Sequence, residues 1–203
     1  MSQTLRKRKE METILANIIQ ELRQLPRCER NSILEKREDI LPVEIIEKYE
    51  RLRENELFHI KHCRTCWKIL RPDSPPSQHD YSKDEYYFFV TIVCLSFGVK
   101  NYLPSGVFEE EVEFHYQKEP HHAQYEKLNP GACLSNEDIA EMAMDQLSRN
   151  LQFNGGEYNL ELLGKYSPHF FRDHEIRIVM FRNYVEEFKD SVQKIWWEMK
   201  TAQ

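Results

Sequence analysis

Glycine and proline are scarce in this chain, six and nine among 203 residues, which leaves little material for the tight turns that join short strands. Long apolar runs are missing as well. The longest, around Phe88 to Phe97, is half of what a bilayer span needs, and no apolar stretch follows the basic run Arg6-Lys7-Arg8-Lys9 to make a secretory leader. No membrane span is expected. There is no excess of positive charge: a net charge of -6 gives no reason to expect a polyanion such as nucleic acid as the main partner. The five cysteines, Cys28, Cys63, Cys66, Cys94 and Cys133, are odd in number and irregularly placed, in a chain long enough to fold without disulfides. That pattern points to a reducing, cytoplasmic compartment.

Charged residues make up 31% of the chain, which suits long helices with a solvated face, so the expected fold class is all-α. The length fits one domain with a sizeable core. Leu5, Met11, Ile14, Leu15, Ile18, Ile19, Leu22 and Leu25 recur mostly every three or four positions. They predict an amphipathic helix, and residues 1–41 are read as an N-terminal helical arm preceding a helical domain over 42–203. The arm's apolar stripe could pack on the domain or contact a partner or membrane surface.

A second helical region is expected from Pro42 to Leu70, and a loop over 71–77, where Pro72, Pro75 and Pro76 fall. From Asp80 to Val99 the residues are apolar or aromatic nearly all round, predicting a buried helix by length. A turn is expected at 101–106 and a helix over 107–117 carrying Glu110, Glu111 and His115. Ser135 with Asp138 three positions on reads as a capping box opening a further helix. A closing helix is expected over about 168–200, with His169 and His174 as structural or surface residues.

The chemistry gathers around Gln78-His79-Asp80-Tyr81-Ser82-Lys83. His59 stands upstream, and His115, His121, His122 and Asp145 stand downstream. Imidazole nitrogen and carboxylate oxygen are the donors a hard-to-borderline divalent ion takes, so these residues form a candidate metal cluster. Lys83 would return to nearly the face of Asp80 if that segment were helical. His59, Cys63 and Cys66 also fall on one helix face, where a zinc knuckle is conceivable, although Cys63 and Cys66 read more simply as a core stripe.

The order of these blocks is itself informative. Phe58-His59-Ile60, His79-Asp80-Tyr81-Ser82-Lys83, Phe114-His115, His121-His122-Ala123-Gln124-Tyr125 and Glu141-Met142-Ala143-Met144-Asp145 together resemble the HD-domain superfamily of metal-dependent enzymes. More narrowly they are similar to a family of HD-like proteins of bacteria and phages, over roughly residues 55–150. The resemblance implies an HD-like helical bundle with the metal site in its core. It implies His59, His79, Asp80 and Asp145 as ligands of a first ion, with His62 a rival to His59. Asp80 would bridge to a second ion held by His115 and by one or both of His121 and His122.

The cofactors implied are one or two divalent transition metal ions, Mn, Fe, Zn, Ni or Co. The activity implied is hydrolysis of a small, phosphate-containing anionic substrate, a phosphoester or nucleotide, with Asp80 and Lys83 catalytic and Lys83 neutralising substrate charge. Glu110 or Glu111 could be an outer carboxylate that orients an imidazole or relays a proton. Two other readings remain open: a diiron oxygenase acting on a small hydroxylated substrate, and a non-catalytic helical binding module.

Overall fold

Apolar side chains repeating every three or four residues, with few glycines or prolines to interrupt them, produce helices throughout. The computed structural model describes residues 3–35, 41, 43–97, 106–159, 161, 163 and 175–202. Among these the regular structure is all-α, in helices α1 (Gln3–Arg23), α2 (Arg27–Glu35), α3 (Val43–Leu70), α4 (Glu85–Phe97), α5 (Val107–Lys118), α6 (Tyr125–Leu128), α7 (Asn136–Phe153) and α8 (Glu175–Thr201). None of the described helices is long and apolar enough to cross a membrane. The chain divides into two compact units, Met1–Asn55 with Ser82–His115 and Glu56–Tyr81 with Tyr116–Gln203.

In the first unit α1 buries Leu15, Ile18, Ile19 and Leu22, in one core cluster with Tyr86, Phe89, Val90 and Val93 of α4. Residues 1–41 therefore contribute core side chains to the unit that holds α4. The helix expected from Asp80 starts instead at Glu85, because Asp84 caps it: its Oδ1 accepts from the Tyr87 N–H at 2.9 Å. Asn31 Oδ1 accepts from the Tyr86 N–H at 2.9 Å and ties α2 to the first turn of α4. The helical relation between Asp80 and Lys83 consequently does not exist.

The second unit is built on α3 from Glu56 onward, α7 and α8. Phe58 and Trp67, Ile139, Met142, Leu147 and Leu151, and Phe181, Val185, Phe188, Val192 and Trp196 form its core. The α8 contributions recur every three or four residues, as one buried stripe requires. The capping box is present: Ser135 Oγ accepts from the Asp138 N–H at 3.1 Å, and the Ser135 N–H donates to Asp138 Oδ2 at 2.7 Å. The first turn of α8 is clamped by Arg177, which donates to both Glu126 oxygens at 2.6 and 2.8 Å. The closing helix is seen from Glu175; its expected start, His169 and His174, and positions 101–105 of the expected turn lie outside the described residues.

After α7 the backbone reverses through Gly155 (φ 65°) and Gly156 (φ 94°). A β-carbon at Gly156 would sit inside the Trp197 indole, whereas one at Gly155 would meet nothing within 4 Å. Gly156→Ala should therefore lower unfolding stability by about 2–3 kcal/mol, and Gly155→Ala by about 1 kcal/mol from backbone conformation alone. Denaturant titration of both variants checks the difference.

The Arg177 clamp has a pH signature. Hydrogen bonds from Arg177 hold the Glu126 carboxyl at about 2, below its ordinary 4.5. A depressed folded-state value means that stability is present above pH 4.5 and is lost as pH falls toward 2. Between those pH values the melting temperature of the wild type should fall more steeply than that of Glu126→Gln, as thermal melts at half-unit pH steps would show.

Candidate metal centre

Three segments of the second unit deliver ligand-type side chains to one place. α3 presents Glu56, His59 and Cys63 at helical spacing, and α7 presents Asp145, Ser148 and Arg149 at i, i+3 and i+4. The proline-rich segment supplies His79 and Asp80 and is held at several points. The Trp67 indole N–H donates to the Pro75 carbonyl at 2.8 Å, and Arg64 donates to the His79 carbonyl at 3.0 Å. Ser77 Oγ accepts from the His79 N–H at 3.1 Å and hydrogen-bonds Glu141 of α7. Among the described residues Asp80 is the only non-glycine with positive φ, 55°. Aspartate tolerates that left-handed conformation better than most residues, and such strain concentrates at functional sites.

The donor atoms crowd together. His59 Nε2 lies 2.9 Å from Asp145 Oδ1 and 3.0 Å from His79 Nε2. His79 Nε2 lies 3.3 Å from Asp80 Oδ2 and 3.4 Å from Asp145 Oδ1, and His59 Nε2 is 3.9 Å from Asp80 Oδ2. Donors about 2.1 Å from a common ion are separated by about 3.0 Å along an octahedron's edge and about 3.4 Å along a tetrahedron's. Most of the observed spacings fall on those edges, and His59, His79, Asp80 and Asp145 are all under a tenth exposed. Such residues could hold a metal ion.

Electrostatics place the same demand for positive charge there. Burial alone would lower the pKa of His79, but the carboxylates of Asp80, Asp145 and Glu141 outweigh it and raise it. Burial would raise Asp145, yet its hydrogen bond with His59 and the charges of His79, His59 and Arg149 hold it well below the usual carboxylate range. Arg149 supplies part of the positive charge. Glu56 holds its guanidinium in a two-pronged pair at 2.6 Å and 2.6 Å, leaving Nη2 3.4 Å from Asp80 Oδ2 and Nε 3.9 Å from Asp145 Oδ1.

The two oxygens of Asp80 face different imidazoles. Oδ2 faces His79 and His59, while Oδ1 lies 3.7 Å from His121 Nε2. Asp80, His121 and His122 offer ligand atoms within 4.8 Å of one another, and the His121 and His122 ring centroids are 4.2 Å apart. Glu119 Oε2 lies 3.6 Å from His121 Nδ1.

Of the residues expected from sequence, His59, His79, Asp80, His121, His122 and Asp145 lie in this second unit. His115 and Lys83 belong to the first unit. There His115 Nδ1 is 2.8 Å from Ser82 Oγ, and Lys83 Nζ is 5.9 Å from the centre of the Tyr87 ring. Glu110 and Glu111 are ion-pair partners of arginines: Arg23 reaches Glu110 at 2.5 Å, and Arg27 reaches Glu111 at 2.6 Å. Besides Asp80 and Asp145, Glu119 is a carboxylate that lies near an imidazole, that of His121. His62 is turned away from the donor cluster, with Nδ1 at 2.8 Å from Ser148 Oγ and Nε2 at 3.0 Å from the Val192 carbonyl. Burial, partly offset by that carbonyl, lowers its pKa to about 4.

Cys63 and Cys66 part company. Cys63 Sγ is 3.7 Å from His59 Nε2 and belongs to the donor group with His79 and Asp145, whereas Cys66 Sγ sits 3.4 Å from His62. The three residues of the conceivable knuckle thus do not converge on one point. Arg149, Ser148 and Cys63 were available to sequence reasoning as same-face neighbours of Asp145 and His59. Glu119 had no such signal, because it stands outside any regular periodicity.

No protein-family model matches this chain, no curated protein matches it, and no solved structure matches it. The geometry itself yields a test. Zinc or manganese at a hundred times its dissociation constant should stabilise the wild type by about 2.7 kcal/mol, and most of that gain should vanish in Asp145→Asn. Thermal melts with and without the ion, against an EDTA control, measure it.

Proposed function

We propose that this chain is a metal-dependent hydrolase of the HD type, acting on a phosphoester or nucleotide. The observation supporting it best is the two-sided Asp80 carboxylate, with Oδ2 toward His79 and Oδ1 toward His121. A carboxylate in that position suits a bridging ligand between two ions. His59, His79 and Asp145 would complete the first site, and His121 and His122 would contribute to the second. All-imidazole and carboxylate donors suit Mn, Fe, Zn, Ni or Co. When bound there, a divalent ion lowers the pKa of a water toward neutrality and polarises a phosphoryl oxygen.

The chain's own residues set the conditions for that chemistry. Arg149, fixed by Glu56, offsets part of the charge of Asp80 and Asp145, and an ion bound among them would supply the rest. Glu119 Oε2 lies 3.6 Å from His121 Nδ1, a position from which a carboxylate could steer that ring. The left-handed turn at Asp80 lets one side chain address two sets of imidazoles at once.

Elemental analysis of the purified protein, paired with a phosphoester and nucleotide panel on wild type and His79→Ala, tests the proposal. One or two equivalents of manganese, zinc, nickel or cobalt are expected. Phosphate release should fall at least about 100-fold in the variant, the scale on which losing a positioned catalytic group acts. Iron with an oxygen-dependent spectral change would replace this reading with a diiron oxygenase. A protein that takes up no metal after reconstitution would be a helical binding module.

A further inference from the structure

We infer that Ser148, His62 and the Val192 carbonyl of α8 are positioning groups that keep a hydrogen on His59 Nδ1, so that Nε2 is the nitrogen offered to an ion in the donor cluster. The inference rests on the metal-binding reading above and names what orients its first ligand.

The argument follows protons outward from a group that has none. The Val192 carbonyl can only accept, so His62 Nε2, 3.0 Å away, carries the hydrogen. His62 is fully buried, flanked by the rings of Phe58 and Trp196, surroundings that favour the neutral imidazole. A neutral ring has one N–H, so His62 Nδ1 accepts, and the Ser148 hydroxyl donates to it at 2.8 Å.

That uses the only hydrogen of Ser148. Toward His59 Nδ1, at 2.9 Å, the same oxygen can only accept, so His59 Nδ1 carries the hydrogen. In neutral His59 the Nε2 lone pair then points into a space where Asp145 Oδ1 is 2.9 Å away and His79 Nε2 is 3.0 Å away. Asp145 Oδ1 at that distance calls for a positive centre on the Nε2 side, a hydrogen in the ion's absence or the ion itself, while Ser148 keeps the Nδ1 hydrogen in place in either case. Ligand imidazoles characteristically donate their second nitrogen's hydrogen to a fixed acceptor, and here that acceptor is a serine oxygen.

Two measurements test this. In the zinc-loaded wild type, a two-bond nitrogen–proton correlation spectrum should show His59 as the Nδ1–H form; an Nε2–H form would overturn the inference. Competition against a chromophoric zinc chelator should show Ser148→Ala binding 10- to 100-fold more weakly. Ser148→Thr, which keeps the hydroxyl, should recover most of the affinity. Equal affinity of wild type and Ser148→Ala, or a threonine variant as weak as the alanine one, overturns the positioning role while leaving the metal-binding reading intact. A wild type that binds no zinc, manganese or cobalt overturns both. The wild-type spectrum needs no variant, so it decides the matter even if Ser148→Ala fails to fold.

Discussion

The second unit depends on keeping two carboxylates and two imidazoles in contact where almost no solvent reaches. Asp80 and Asp145 are both nearly inaccessible, and neither could remain ionised there without compensating positive charge. The fold supplies some of it through Arg149, which is itself immobilised by Glu56. The rest falls to His79, or to an ion held by these residues. Much of the local sequence follows from that constraint. One helix must bring an acid beside a hydroxyl and a guanidinium, another must bring a histidine beside a second acid, and the intervening loop must be anchored tightly enough to hold Asp80 in a disfavoured backbone conformation.

The two faces of α3 show how a helix reconciles chemistry with packing. Phe58 and Trp67 join the apolar core of the second unit, while His59 turns to the donor cluster. His62 lies between these roles, its ring edge against Trp196 and both nitrogens satisfied. A buried histidine with two partners of its own is a structural element, and its value to the site is indirect.

Sequence periodicity was enough to identify the fold class. The stripes of α1 and α8, the capping box at Ser135 and the proline-marked loop each follow from local rules that tertiary contacts did not override. α4 starts at Glu85 and not at Asp80 because an all-apolar run conceals its own boundary, which Asp84 sets by capping the helix. In the site, His59, His79, Asp80 and Asp145 could be named from their types and order. The choice between His59 and His62 could not, because it depends on which ring finds Ser148 and Val192 from another helix. The arginine partners of Glu110 and Glu111 are hidden for a similar reason: they lie more than about 80 residues away in the chain.

The chain passes between its two units three times, after Asn55, Tyr81 and His115. Neither unit is a continuous stretch of sequence, and a cut after residue 41 would strip Leu15, Ile18, Ile19 and Leu22 from α4. A single crossover between genes could therefore not transplant either unit whole. Each unit needs two separate stretches of sequence, and the donor-bearing loop depends on helices encoded on both sides of it.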